Sequence, residues 1–139
     1  MLGTILAGGL LPGCASDAGG GAADVPAVAT SPGTVALVDP ASFAVTIEDQ
    51  DMTTLDVRTP QEFAAGHIEG AVNIDVQDPA TFPAQVAELD PTASYAVYCR
   101  SGNRSATATQ FMIDEGFSSV LELDGGILAW QRNGFPVVQ

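Results

Sequence analysis

The chain has 139 residues, 46% of them hydrophobic, with 17 acidic side chains against four basic ones and a formal charge of -13 at pH 7. That length supports one domain with its own core, and no apolar run approaches the roughly 20 residues of a membrane-spanning helix. The acidity excludes a nucleic-acid binder, because phosphate backbones call for clustered Lys and Arg; it leaves room for a small anion where Arg58, Arg100 and Arg104 converge.

Residues 1–14, MLGTILAGGLLPGC, read as the apolar core of an export signal ending at a cysteine. Leu11-Pro12-Gly13-Cys14 is similar to a bacterial lipobox, which implies lipidation of Cys14, a place in the cell envelope and membrane attachment through that lipid anchor alone. Pro12 stands where the pattern has a small or branched residue, and no Lys or Arg precedes the apolar run as a signal requires. The alternative reading is a small core helix or a tail on a cytoplasmic protein. Residues 15–34 are mostly Ala, Gly, Ser, Asp and Pro, with too little apolar surface to offset the entropy of ordering, so a flexible tether is expected.

From Val35 onward strand and helix signals alternate, placing one domain over residues 35–139. Val35–Val38 is a short apolar run followed by Asp39-Pro40, an N-cap with a first-turn proline. Thr53–Val57 reads as a second strand, and Thr59-Pro60-Gln61-Glu62 as a capping box opening a short helix that stops at Gly66. Ala71–Ile74 gives a third strand, and a helix is expected through Ala84–Leu89. Tyr95–Tyr98 is a fourth strand. The helix after it carries Ala108, Phe111, Met112 and Glu115 at three- and four-residue intervals and ends at Gly116, a C-cap. Val120–Leu123 is a fifth strand and Ile127–Arg132 a final short helix. The alternation predicts an α/β fold, a five-stranded, mainly parallel sheet with helices on both faces. Ligands of such folds gather beyond the carboxyl ends of strands.

Cys99 follows one such end, in the run Tyr98-Cys99-Arg100-Ser101-Gly102-Asn103-Arg104-Ser105. Two of the four basic residues of the chain fall in this loop. Helix N-termini and neighbouring arginines stabilise a thiolate, lowering its pKa from about 8.5, and the successive N–H groups from Arg100 to Ser105 form an anion-binding concavity. Gly102 suits a position that needs positive φ or close backbone approach. The loop therefore describes a nucleophile in an anion cradle, whereas an inert core cysteine gives no reason for flanking arginines. One Cys and one His cannot complete a zinc site, so no metal is expected, and nothing calls for another cofactor. Spacing alone leaves a Cys14–Cys99 disulfide open; lipidation of Cys14 would leave Cys99 as the one free thiol.

Four separated motifs resemble those of the single-domain rhodaneses, a family of sulfurtransferases. They are Leu55-Asp56-Val57-Arg58-Thr59-Pro60 with Glu62-Phe63, Gly66–Ile74, the loop Tyr98–Ser105, and Gly125-Gly126 with Trp130 and Gly134-Phe135-Pro136-Val137. The resemblance spans residues 37–138 and implies a rhodanese-like fold in which Cys99 takes sulfane sulfur from a small anionic donor, thiosulfate or a persulfide. The sulfur then passes to cyanide, a thiol or a protein acceptor. Four residues separate Cys99 from Arg104, the sulfurtransferase spacing, while the phosphatases and arsenate reductases of this fold carry one more. A non-catalytic binding or sulfur-carrier module is the main competing reading, and an anion-cleaving phosphatase or arsenate reductase the lesser one.

Within this reading Arg104 closes the loop and adds charge to the bound anion, with a surface ion pair as the alternative. Arg100 points outward, as donor-tuning charge or plain surface charge. The resemblance places Arg58 beside the pocket, helping to receive an anionic substrate, with a structural ion pair involving Asp56 or Glu62 as the alternative. His67 is read as a structural hydrogen-bonding residue, and Trp130 and Phe135 as core.

Overall fold

The computed structural model describes residues 33–49 and 51–139; the predicted signal segment, Cys14 and nearly all of the tether lie outside the described residues. Strands and helices alternate as β1 (Val35–Val38), α1 (Pro40–Asp49), β2 (Met52–Asp56), α2 (Pro60–Ala65), β3 (Val72–Asn73), α3 (Phe82–Ala87), β4 (Ser94–Tyr98), α4 (Asn103–Asp114), β5 (Ser119–Leu123) and α5 (Gly126–Arg132). Every strand pairing is parallel, in the order β1-β5-β4-β2-β3.

Side chains alternate across a strand, so central β4 sends Tyr95 and Val97 to one face and Ala96 and Tyr98 to the other. The first face packs on Phe82 and Val86 of α3 and on Ala108 and Met112 of α4. The second packs on Phe43 and Ala44 of α1 and on Ile127 and Trp130 of α5. The expected two-sided α/β sheet is therefore observed, and Trp130 and Phe135 lie in the second core, stacked with centroids 4.6 Å apart. Each CH₂ removed from water in these cores contributes about 0.8 kcal/mol.

Local signals account for most element ends. The capping box is formed: Thr59 Oγ1 accepts from Glu62 N–H at 3.3 Å, and Thr59 N–H donates back to Glu62 Oε2 at 3.1 Å. Apart from starts one residue earlier in β4, β5 and α5, three elements differ from expectation. α3 begins at Phe82 rather than Ala84, because Pro83 occupies the first turn, where its missing N–H costs nothing, and Phe82 is anchored against Phe111. β2 ends at Asp56, although Val57 N–H still reaches Tyr98 O at 3.0 Å. β3 has only two residues; it is an edge strand pairing β2 alone, and the Asn73 side chain bonds the Asp56 and Arg58 carbonyls at 3.0 and 2.8 Å.

The connection from β2 through α2 runs to β3 at one edge, whereas that from β4 through α4 runs to β5 on the other side. Neighbouring strands whose connections diverge leave a crevice at their carboxyl ends, the usual ligand position in such sheets. Asp56–Arg58 and Cys99–Ser105 both follow those ends.

Candidate active site

The floor of the crevice is a buried polar cluster joining β2 to β4. Asp56, 0% exposed, accepts from Arg58 Nη2 at 2.6 Å and from the Tyr98 hydroxyl at 2.7 Å. Arg58 Nη2 also donates to Gly66 O at 2.7 Å, and the Tyr98 hydroxyl accepts from Ile68 N–H at 3.0 Å. Burial works against the Arg58 charge, but the adjacent Asp56 carboxylate outweighs it and holds the guanidinium protonated. Burial, reinforced by the Asp56 charge, pushes the Tyr98 phenol well up, so it remains a donor. Each member is satisfied by the others, which ties the Gly66–Ile68 segment to the carboxyl edge. His67 takes its expected structural place: Nδ1 lies 2.9 Å from Phe63 O and the ring stacks on Phe63.

Above this floor the chain leaves β4 and turns sharply into α4. Gly102 supplies the turn with φ 111° and precedes the first residue of the helix. The turn wraps backbone donors around sulfur, with Gly102 N–H reaching Cys99 Sγ at 3.0 Å and Ser105 Oγ 3.4 Å from it. Burial pushes the Cys99 thiol up, but the Ser105 hydroxyl and the backbone N–H groups of Ser105, Gly102 and Ser101 outweigh it, holding the thiol below its ordinary value. The structure thus sets a cradle of donors around Cys99 Sγ. Its donors are chiefly backbone amides and one hydroxyl rather than arginines.

The two loop arginines diverge. Arg100 is exposed and lines a cavity of about 240 Å³ together with Arg58, Glu62, Gly66, Ile127 and Gln131. Arg104 instead grips Glu62 of α2 through two bonds, Nη1–Oε2 at 2.7 Å and Nη2–Oε1 at 2.8 Å. Its charge also faces Cys99, but Glu62 is its principal partner. Arg104 therefore closes the site by clamping α2 to α4.

The clamp has a pH signature. Arg104 above all, with the Thr59 cap bonds, lowers the Glu62 pKa from 4.5 to about 2 against the opposing effect of burial. A carboxyl depressed in the folded state contributes stability that is fully present above its unfolded pKa and is lost on acidification. The window here runs from pH 4.5 down to about 2. Arg104→Ala is expected to lower Tm at neutral pH by the equivalent of about 1 kcal/mol or less, as for partly exposed pairs. The difference from the native chain should shrink through that window in thermal melts against pH, and a difference unchanged at pH 2 would rule the clamp out.

Three features had no counterpart in the expected site. Glu62 is legible in the sequence as a cap but not as the partner of Arg104, 42 residues away. Gly126 lies directly against the Cys99–Ser105 loop: Ile127 N–H bonds Cys99 O at 2.9 Å and Leu128 N–H bonds Arg100 O at 3.2 Å. Glu122 on β5 is buried and accepts from Ser105 Oγ at 2.6 Å. A charged residue amid the apolar run Val120–Leu123 was the available signal for Glu122.

Residues 39–133 match the family model described as the rhodanese-like domain. The chain belongs to the rhodanese-like domain family. It is 35% identical over 102 residues to a protein of Allochromatium vinosum named sulfurtransferase, covering 73% of this chain and 92% of that one. It is 39% identical over 90 residues to the thiosulfate sulfurtransferase GlpE of Pseudomonas aeruginosa, covering 65% of this chain and 78% of that one. Among solved structures, a rhodanese-related protein from Thermoplasma volcanium superposes with a TM-score of 0.65 at 34% identity, covering 74% of this chain and 97% of that one. Within this rhodanese-like chain, Cys99 stands at the turn between the central strand and α4.

Proposed function

We propose that the protein is a sulfurtransferase that carries sulfane sulfur as a persulfide on Cys99. The observation that carries this reading is a thiol held below its ordinary pKa at the floor of a loop of inward-facing N–H groups. The Cys99 thiolate attacks the outer sulfur of a donor such as thiosulfate; an Sγ–S bond forms, the donor's S–S bond breaks, and sulfite leaves with the electron pair. A nucleophilic acceptor, cyanide or a thiol, then attacks the outer sulfur of the persulfide and returns Cys99 to its thiolate. The loop N–H groups stabilise the outer sulfur anion as an oxyanion hole does a tetrahedral intermediate. Cys99 is only 1% exposed, so the reacting atom must enter the cradle. A terminal sulfur suits that space better than a tetrahedral phosphate, in keeping with the four residues between Cys99 and Arg104. Arg100, exposed and next in the chain to Cys99, favours an anionic donor.

Incubation with thiosulfate is expected to add one sulfur atom to the Cys99 peptide by mass spectrometry, and cyanide to remove it as thiocyanate. Transfer should follow ping-pong kinetics, since one sulfur serves donor and acceptor in turn. No loading from thiosulfate or from small persulfides would favour the binding-module reading.

A further inference from the structure

Glu122 is a buried carboxyl without a cation. It is 7% exposed, and the ion pairs among the described residues join Arg58 to Asp56 and Arg104 to Glu62. Its hydrogen-bond partner is Ser105 Oγ at 2.6 Å, and Ser105 is 0% exposed. The same hydroxyl lies 3.4 Å from Cys99 Sγ. An uncompensated buried carboxylate is costly, and its place beside a nucleophile that works as an anion calls for a physical reason.

A serine hydroxyl has one hydrogen to donate. If Ser105 gives it to a Cys99 thiolate, then Glu122, 2.6 Å from the same oxygen, must be the protonated partner that donates to Ser105. If Ser105 gives it to a Glu122 carboxylate, Cys99 must be the thiol. Gly102 O, 3.1 Å from the same hydroxyl, accepts its proton while both ends are protonated. Once one proton is lost the hydroxyl turns to whichever end is the anion, so the trio then shares one proton between sulfur and carboxyl.

We propose that Glu122 is a positioning residue that takes the proton leaving Cys99, relayed by the Ser105 hydroxyl. The Sγ–H bond breaks as its proton passes to Ser105 Oγ, and the Ser105 hydroxyl proton passes to Glu122 Oε1. One proton has then moved from sulfur to carboxylate, leaving Ser105 with its new O–H directed at the thiolate. Burial, with the Asp124 charge, holds Glu122 above the usual carboxylate range against the Ser105 bond, a direction that favours the protonated carboxyl. The charged groups facing the trio are Arg104 on α4, whose field reaches Cys99, and Asp124 after β5, whose field reaches Glu122. The strand neighbours in register with Glu122, Leu37 on β1 and Val97 on β4, carry no charge. The inference rests on Cys99 being the nucleophile, but its test reads the thiol itself and not sulfur transfer, so the two can fail separately.

The test is the rate of Cys99 alkylation by iodoacetamide against pH, read on the Cys99 peptide of the full chain. Coupled groups lose protons in two macroscopic steps, so the native profile should rise in two steps with a plateau between them. Glu122→Gln can donate to Ser105 but cannot accept the proton. Its profile should show one step, with the plateau rate raised about twofold if the proton is evenly shared in the native chain. A single step in the native chain, or two steps persisting in Glu122→Gln, overturns the proposal. If Glu122→Gln does not fold, infrared difference spectra of the native chain decide. A protonated-carboxyl band that disappears when Cys99 is alkylated supports the relay, and its absence overturns it.

Discussion

Cys99→Ser is expected to abolish sulfur loading from thiosulfate and lower transfer to cyanide to background, a fall of at least about three orders of magnitude, as for other covalent nucleophiles. The cradle lowers the pKa of a thiol, but a hydroxyl starts so far higher that the same donors leave it un-ionised at neutral pH. The oxygen also cannot form the S–S bond that holds sulfur between the two half-reactions. The fold should survive, because the substitution exchanges one atom at a site whose neighbours, Gly102 N–H and Ser105 Oγ, bond an oxygen equally well. Tm should therefore stay close to native while loading vanishes, measured by thermal melts and intact mass on the same preparation. Sulfur loading that persists elsewhere in the Cys99→Ser chain would assign the chemistry to another group.

Gly126→Ala is expected to damage both fold and site. A Cβ on Gly126 would sit 2.5 Å from Arg100 C and O and 2.6 Å from Cys99 O, and these are backbone atoms that cannot swing aside. The residue also has φ 61°, where a side chain costs roughly 1–2 kcal/mol; overpacking against a fixed neighbour adds about 1–3 kcal/mol. The combined cost is a large share of the roughly 5–15 kcal/mol that holds a domain folded. Relief can come only by separating α5 from the Cys99–Ser105 loop, which breaks the bonds from Ile127 N–H and Leu128 N–H. The expected result is a marked drop in Tm with a further loss of sulfur loading in the molecules that remain folded. Gly134→Ala is the control: its φ is 83°, but a Cβ there meets nothing within 4 Å, so it should lose stability from the backbone alone and keep full loading. Equal effects at the two glycines would show that the close contact at Gly126 carries no energetic weight.

The sequence by itself determined the order of elements, the capping box at Thr59–Glu62, the turn at Gly102 and the position of Cys99 between a strand and a helix. These features act over a few residues, through side-chain period, hydrogen bonds to nearby amides and the φ range of glycine, so a linear reading captures them. The placement of β4 at the centre of the sheet, and with it the burial of Cys99, came from tertiary structure, as did every partnership across the crevice. Arg104 reads locally as an anion ligand, yet it is held by Glu62, 42 residues away, because α2 is set over the carboxyl edge beside α4. Glu122 reads as a polar break in a strand, yet it meets Ser105, 17 residues away, because β5 lies directly beside β4 and turns Glu122 toward the face that α4 covers. The Gly125-Gly126 pair reads as a family motif, while its reason, a backbone pressed against Cys99 and Arg100, exists only once α5 closes on the loop. Such contacts depend on which strands become neighbours. That is decided by packing whole layers over both faces of the sheet, and no period or cap within a single segment carries the information.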